Sequence, residues 1–486
     1  MEKPSTVREL RESGWRYRSV KEELAANLLH RLAAGEVIFP GIIGYEDTVI
    51  PDIENAILSG HDLIILGERG QAKSRLIRNM VDLLDEYIPV IEGCEINDNP
   101  FNPVCRSCRL RAIELGDRIP VTWLHREERY GEKLATPDAS IADIFGEMDP
   151  IKVAEGKYLS DERVIHFGIL PRSNRGIFAI NELPDLAEKV QVGLFNILEE
   201  RDVQIKGFKI RLPLDIYIVA TANPEDYTHR GRIITPLKDR YSSHVRTHYP
   251  DKRDGEVAIV DQEHHIHLAP KEKLSVPLYM KEIIAGITFE ARKSPEINQT
   301  SGVSVRMSIS NYENLVANAR KRALRLHENE IVPRISDLAA VYASSRGRIE
   351  LEYTGEERTE VELIEILIQR ALKNIFDRYF RVSELGPLID AFEKGAVMEV
   401  SADMPSIEYL GLYEHLPVLN DMVSRLKIEK TPAYLASAAE FILEGLHLNR
   451  KLNKKAKARG ALYQGGMNSP MSRRGPTRSG DETIYL

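Results

Sequence analysis

A chain of 486 residues is too long for one ordinary domain, and a hydrophobic share of 43% beside 29% charged residues describes a globular protein with a sizeable core. A formal net charge of −8 excludes a whole-protein attraction to nucleic acid or an anionic membrane, and no apolar run approaches the roughly 18 residues of a spanning helix. Three cysteines make no disulfide framework and Met1-Glu2-Lys3-Pro4 leads into no apolar signal-peptide core, so a cytoplasmic protein is expected.

The first predicted element is an amphipathic helix over residues 20–34, where Leu24, Leu28, Leu29 and Leu32 recur at helical spacing. A turn from Pro40 to Glu46 hands over to a second helix from Asp47 to Leu58, with Pro51 marking its start. The apolar run Asp62 to Leu66 then meets Gly67-Glu68-Arg69-Gly70-Gln71-Ala72-Lys73-Ser74, and a helix-like stretch follows from Arg75 to Val81. Strand, glycine-bearing loop and helix, in that order, are the context of a phosphate-binding loop. Backbone N–H groups of such a loop converge on the phosphates, Lys73 reaches the β- and γ-phosphates, and the Ser74 hydroxyl sits on Mg²⁺. Ala72 stands where G-x-x-x-x-G-K-[ST] has its second glycine. Alanine tolerates positive φ poorly, so some loss of nucleotide affinity is expected.

Residues 93–111 read as irregular and hold Cys94, Cys105 and Cys108; residues 112–175 read as inserted loops. A buried-type strand follows from Gly176 to Glu182, then a helix from Pro184 to Glu200 and a hairpin from Val203 to Leu212 around Lys206-Gly207. A further strand from Ile216 to Thr221 closes on Ala222-Asn223-Pro224. Strands alternating with helices predict an α/β fold with a doubly wound parallel sheet and ligands at its C-terminal strand ends. Beyond Lys252 helices take over, over Arg306 to Leu326, Ile335 to Ser344, Val361 to Phe380, Leu416 to Leu426 and Pro432 to His447. Residues 449–486 are basic and then rich in Gly, Ser, Pro and Arg, the composition of a disordered tail.

Hydrolysis of a nucleotide needs a carboxylate to orient water and a ligand to hold Mg²⁺. Glu182 fills the first role. Asn181 stands in the metal-side position, where it brings no charge and weaker Mg²⁺ binding follows. Cys94-x10-Cys105-x2-Cys108 is a candidate zinc set, completed by His125 or another residue; three buried thiols or a redox pair are the alternatives. Lys206 and Lys209 on the hairpin are candidate client contacts, or simply a solvated tip.

The phosphate loop, Gly176 to Glu182, the hairpin, Ala220 to Pro224 and Pro236-Leu237-Lys238-Asp239-Arg240-Tyr241 occur in one order. Together they resemble the AAA+ ATPases, in the branch of the magnesium-chelatase ATPase subunit and the MoxR-type ATPases, over roughly residues 37–350. The resemblance implies an AAA+ αβα sandwich with a parallel sheet, followed by an α-helical lid and an additional C-terminal α-helical segment. The expected division is an N-terminal helical segment (1–36), the nucleotide-binding core with its cysteine insert (37–250), the lid (251–350), the extension (351–448) and the tail (449–486).

By the same resemblance Lys73 and Ser74 match the Walker A motif and Asn181 with Glu182 matches Walker B. Asn223 matches sensor 1, Arg240 the arginine finger and Arg306 sensor 2; Ile43-Gly44 sits at the adenine contact. Arg230 and Arg232 rival Arg240 as the finger. Implied with these are ATP and Mg²⁺, a hexameric ring whose finger comes from the next subunit, and a partner with a von Willebrand factor A-type domain. Nucleic acid and membrane are not expected partners. A magnesium-chelatase subunit driving metal insertion into a porphyrin, or a slow ATP-dependent scaffold, are the alternatives.

Overall fold

Five strands build the central sheet: β1 (Leu63–Leu66), β2 (Tyr130–Leu134), β3 (Gly176–Asn181), β4 (Ile216–Ala222) and β5 (Ser243–Arg246). Their order across the sheet is β5-β1-β4-β3-β2, and every pairing is parallel. This computed structural model describes residues 3–149, 164–205, 211–223, 233–299, 302–352, 359–457 and 460–466.

β1 and β4 are buried along their whole length and β3 up to its last residue, so each reads as a continuous apolar run. Alternate side chains of these strands feed two separate cores. Leu63, Ile65, Ile177, Ala179, Tyr217 and Val219 pack with the helices Val20–Ala33 and Val49–Leu58 on one face. Ile64, Leu66, Phe178, Ile180, Ile218 and Ala220 pack with the helix Glu188–Glu199 on the other. The result is an αβα sandwich around a parallel sheet, the layering that was expected.

The helix Val20–Ala33 starts where a capping box fixes it. Ser19 accepts the N–H of Glu22, and the Glu22 carboxylate takes the Ser19 N–H. From this helix Glu23 reaches a buried bidentate pair with Arg129, at 2.7 and 2.6 Å. Arg129 Nε in turn donates to the carbonyl of Arg175, just before β3. Burial, with Arg129 nearby adding to it, lowers the Arg175 guanidinium to about 10.

The chain divides into two compact units, Met1–Gln262 with Asn298–Arg306, and Glu263–Ile297 with Met307–Leu486. The whole sheet lies in the first. In the second, the helices Leu278–Lys293, Glu360–Tyr379 and Pro432–Leu448 share an aromatic core. Tyr279 stacks on Phe441 with centroids 4.5 Å apart, and Phe376 meets Phe441 edge-on at 5.8 Å. Gly445 keeps the last helix close: a Cβ there would lie 2.0 Å from the Phe376 ring.

Several expectations need correction. Residues 112–175 are not only loops, because β2 arises within them and adds to the edge of the sheet. The helix after β3 begins at Glu188, with Leu183–Asp185 in a 3-10 turn. Ile335–Ala340 is also a 3-10 turn, and the helix placed at Leu416 starts at Val418. The tail is not wholly disordered. Asn453–Lys457 and Gly460–Gln464 form an antiparallel sheet with Val397–Ser401. Its lysines find acids: Lys454 pairs with Glu444 at 2.8 Å and Lys457 with Glu399 at 2.5 Å. The buried Tyr463 also donates to Glu444. Residues 467–486 lie outside the described residues, as do Lys206, Lys209, Pro224, Arg230 and Arg232.

Candidate functional site

The loop leaves β1 at Leu66 and enters the helix Lys73–Asn79. Two of its glycines have no room for a side chain. A Cβ on Gly67 would lie 1.8 Å from Thr247 Oγ1, and one on Gly70 would lie 1.9 Å from Ser304 Oγ. Ala72 takes φ 55°, the left-handed conformation that the missing glycine would adopt freely. An L-residue there carries a cost of about 1–2 kcal/mol.

Gln71 fastens the loop from inside. Its Oε1 accepts the Glu68 N–H at 3.0 Å and the Thr247 hydroxyl at 2.6 Å. The Tyr45 hydroxyl lies 3.1 Å from the Gln71 carbonyl, and the Tyr249 hydroxyl donates to the Arg69 carbonyl at 2.9 Å. Lys73 Nζ donates to the carbonyls of Gly67 and Glu68, and at 2.7 Å to Asn223 Oδ1. Ser74, the next residue, is exposed. Ile43 is half-buried and Gly44 takes φ 83°. The turn before them lies beside the loop's helix, with the Gly41 carbonyl facing Arg75 and accepting from Gln262 at 2.9 Å.

The strand ends bring the remaining polar residues together. β3 and β4 run in parallel register, Ile180 opposite Ala220, so Asn181 and Glu182 finish beside Thr221 to Asn223. Glu182 is exposed and left-handed, φ 58°, with its N–H donated to Thr221 Oγ1 at 3.0 Å. Two non-glycine residues at positive φ, Ala72 and Glu182, thus flank one site, where backbone strain tends to collect.

Asn181 accepts from the Thr221 hydroxyl at 3.3 Å and donates to Glu132 Oε1 at 2.5 Å. Glu132 stands on β2, the edge strand that the sequence reading passes over as a loop. It supplies a carboxylate beside the position where Asn181 brings none. Its hydrogen bond and charge also hold Arg78 above the ordinary guanidinium range, at 3.0 Å.

Arg240 ends the short helix Thr235–Arg240 and points at Glu199, with Nε and an Nη at 2.8 and 2.6 Å from Oε2. Its guanidinium also lies over the Phe195 ring, 4.8 Å from the centroid. Lys238, two residues earlier, lines a cavity of about 270 Å³ with Gly67, Glu68, Gln71, Arg246 and Thr247. Lys238 and Arg246 are cations near the loop that motif reading does not single out. Arg306 opens the helix Arg306–Arg325, its N–H on Ser304 Oγ at 3.2 Å. The segment before it rests on the loop: a Cβ on Gly302 would meet Glu68 Oε2 at 2.3 Å, as one on Gly70 meets Ser304.

Cys94, Cys105 and Cys108 do converge, but with Asp98 as fourth member. His125 is not in the group; its ring packs edge-on to Tyr87 at 5.1 Å.

The residues fit a triphosphate with Mg²⁺: two glycines without space for a Cβ, an ammonium held in the loop, a hydroxyl beside it, and carboxylates at the adjoining strand ends. No family model matches the chain. The magnesium-chelatase subunit ChlI of Nostoc sp. is 26% identical over 328 residues, 64% of this chain and 83% of that subunit. The chloroplastic subunit ChlI-1 of Arabidopsis thaliana is 27% identical over 241 residues, 48% of this chain and about half, 53%, of its own length. Among solved structures, a complex of the BchI and BchD subunits of magnesium chelatase aligns at 20% identity with a TM-score of 0.34, covering 68% of this chain and 98% of that one. NtrX from Brucella abortus aligns at 16% identity and 0.41, covering 72% and 66%. At those scores the structural likenesses carry no weight.

Proposed function

We propose that this chain, similar over 64% of its length to a magnesium-chelatase subunit, is an AAA+ ATPase that works in a ring, using ATP turnover to remodel or activate a partner protein. The observation that carries the reading is the meeting of Lys73, Asn223 and Glu182 at one end of the sheet. Lys73 exchanges its loop carbonyls for phosphate oxygens, and Asn223 keeps its ammonium aimed at them. Glu182, exposed at the strand end, orients the attacking water and takes its proton. Bound Mg²⁺ would be held by Ser74 and Asn181, with Glu132 as the nearby carboxylate, and would supply neutralising charge to the phosphates.

Arg240 is the finger given to the neighbouring subunit. Glu199 and Phe195 hold its guanidinium ready, and the Glu199 pair opens when the phosphoryl charge is offered. Arg306 acts from the start of its helix as the sensor that registers the nucleotide. A hexamer is the expected assembly, and a von Willebrand factor A-type protein with a metal-ion adhesion site the expected client.

The test is Glu182→Gln in the full chain. ATP binding stays and turnover falls by a factor of about 10²–10⁴, the usual contribution of a positioned base. The same variant, loaded with ATP, retains its client in a pull-down. Turnover equal to wild type removes Glu182 from this role. A second reading, a slow scaffold in which ATP holds the ring together, is favoured by Ala72 and Asn181. Absence of turnover in the wild type with its client present would select it. Metal insertion into a porphyrin, the alternative that the resemblance implies, is separated from both by a direct insertion assay.

A further inference from the structure

We propose that Cys94, Asp98, Cys105 and Cys108 hold one structural divalent cation of the zinc class in a closed, four-coordinate site. Their ligand atoms all lie within 4.8 Å of one another. A tetrahedron of ligands around zinc has edges of about 3.8 Å for Zn–S bonds of about 2.3 Å, so a small contraction closes the group. All three cysteines are free thiols, and Cys105, Cys108 and Asp98 are buried.

The second observation is Asp98 itself. Its side chain has no exposure, its Oδ2 accepts the Cys105 N–H at 3.0 Å, and its Oδ1 finds no hydrogen-bond partner among the described residues. A buried carboxylate oxygen without a partner is costly unless something cationic meets it. Among the described residues the candidate ligand atoms gathered around it are the three cysteine sulfurs, and a cation held between them would satisfy it.

The sulfurs are arranged as thiolate ligands. Cys94 Sγ accepts the Asp98 N–H at 3.4 Å and Cys105 Sγ accepts the Cys108 N–H at 3.3 Å, outer bonds of the kind that orient metal-binding sulfurs. Cys105 also caps the helix Arg106–Leu115, which fixes its sulfur at the helix start. Three sulfurs and one oxygen fill a zinc shell with no position left for water or substrate, which makes the site structural rather than catalytic.

What the cation would secure is visible in the bonds around it. Asn174 Nδ2 donates to the Ile96 carbonyl and Asn97 Nδ2 to the Arg172 carbonyl, both at 2.9 Å. Residues 172–175 lead directly into β3, whose far end carries Asn181 and Glu182. The loop between Cys94 and Cys105 therefore braces the base of the strand that serves the phosphate site.

The full chain, purified without chelator from zinc-supplemented culture, is analysed for metal by plasma mass spectrometry. About one equivalent per chain is expected, with Cys108→Ser and Asp98→Ala losing most of it and Asp98→Glu keeping it. In the wild type, cobalt exchanged into the site gives the thiolate charge-transfer and intense visible bands of a tetrahedral centre. Ellman's reagent reaches the three thiols only after the metal is released. A folded wild type with no metal and freely reacting thiols overturns the proposal. So does a mass lighter by two hydrogens, the sign of a disulfide, or undiminished metal in folded Cys108→Ser.

Discussion

Lys73 and Asn223, 150 positions apart in the chain, share a hydrogen bond of 2.7 Å between Nζ and Oδ1. One sits after β1 and the other after β4, and these strands are neighbours in the sheet. The bond therefore ties the phosphate loop to the place where the attacking water is expected. Asn223→Ala should leave ATP affinity within a few-fold of wild type and lower kcat by about 10²–10³, the loss typical of one aimed donor. Lys73→Ala should abolish binding. Equal loss of affinity in both variants, measured by nucleotide titration, would assign Asn223 to binding instead.

Glu132 makes a second test. If it stands in for the carboxylate that Asn181 lacks, Glu132→Gln should raise the Mg²⁺ needed for half-maximal turnover by about tenfold, in line with the loss of a group that supports a metal ligand. Asn181→Asp should lower that requirement. An unchanged Mg²⁺ dependence in Glu132→Gln leaves Glu132 as a structural partner of Arg78 and Asn181.

Ala72 holds a conformation that glycine takes without strain. Ala72→Gly should tighten nucleotide binding and gain about 1 kcal/mol of stability, read as a rise in Tm and as a lower Kd. A fall in both would mean that the alanine methyl is packed usefully.

Arg240 predicts complementation. Arg240→Ala and Lys73→Ala should each be inactive alone, while mixtures regain part of the wild-type rate, because one subunit lends its arginine and the other its phosphate loop. Mixtures as dead as the single variants would place the finger elsewhere, with Arg230 and Arg232 next in line.

The centre of the fold was legible because β1, β3 and β4 are buried on both faces and leave unbroken apolar runs. β2 was not, since an edge strand reading Tyr-Gly-Glu-Lys-Leu offers no such run. Its omission hid Glu132 as well. The lysine-rich hairpin near the end reads as solvated because the acids that neutralise it, Glu399 and Glu444, lie elsewhere in the sequence. Asp98 failed to announce itself for another reason: no spacing rule joins one aspartate to a C-x-x-C pair. The Lys-Ser step of the loop and the polar ends of β3 and β4 needed no such help, because motif and strand context coincide there.

Glu23 and Arg129 face each other almost entirely out of water. A fragment cut to begin at residue 37 would keep the arginine and discard its counter-ion, stranding a cation beneath the sheet at a penalty on the order of 3–5 kcal/mol. The smallest autonomous piece that carries the phosphate loop must accordingly reach back past Ser19, and the helix Val20–Ala33 is a foundation of that unit rather than an appendage to it.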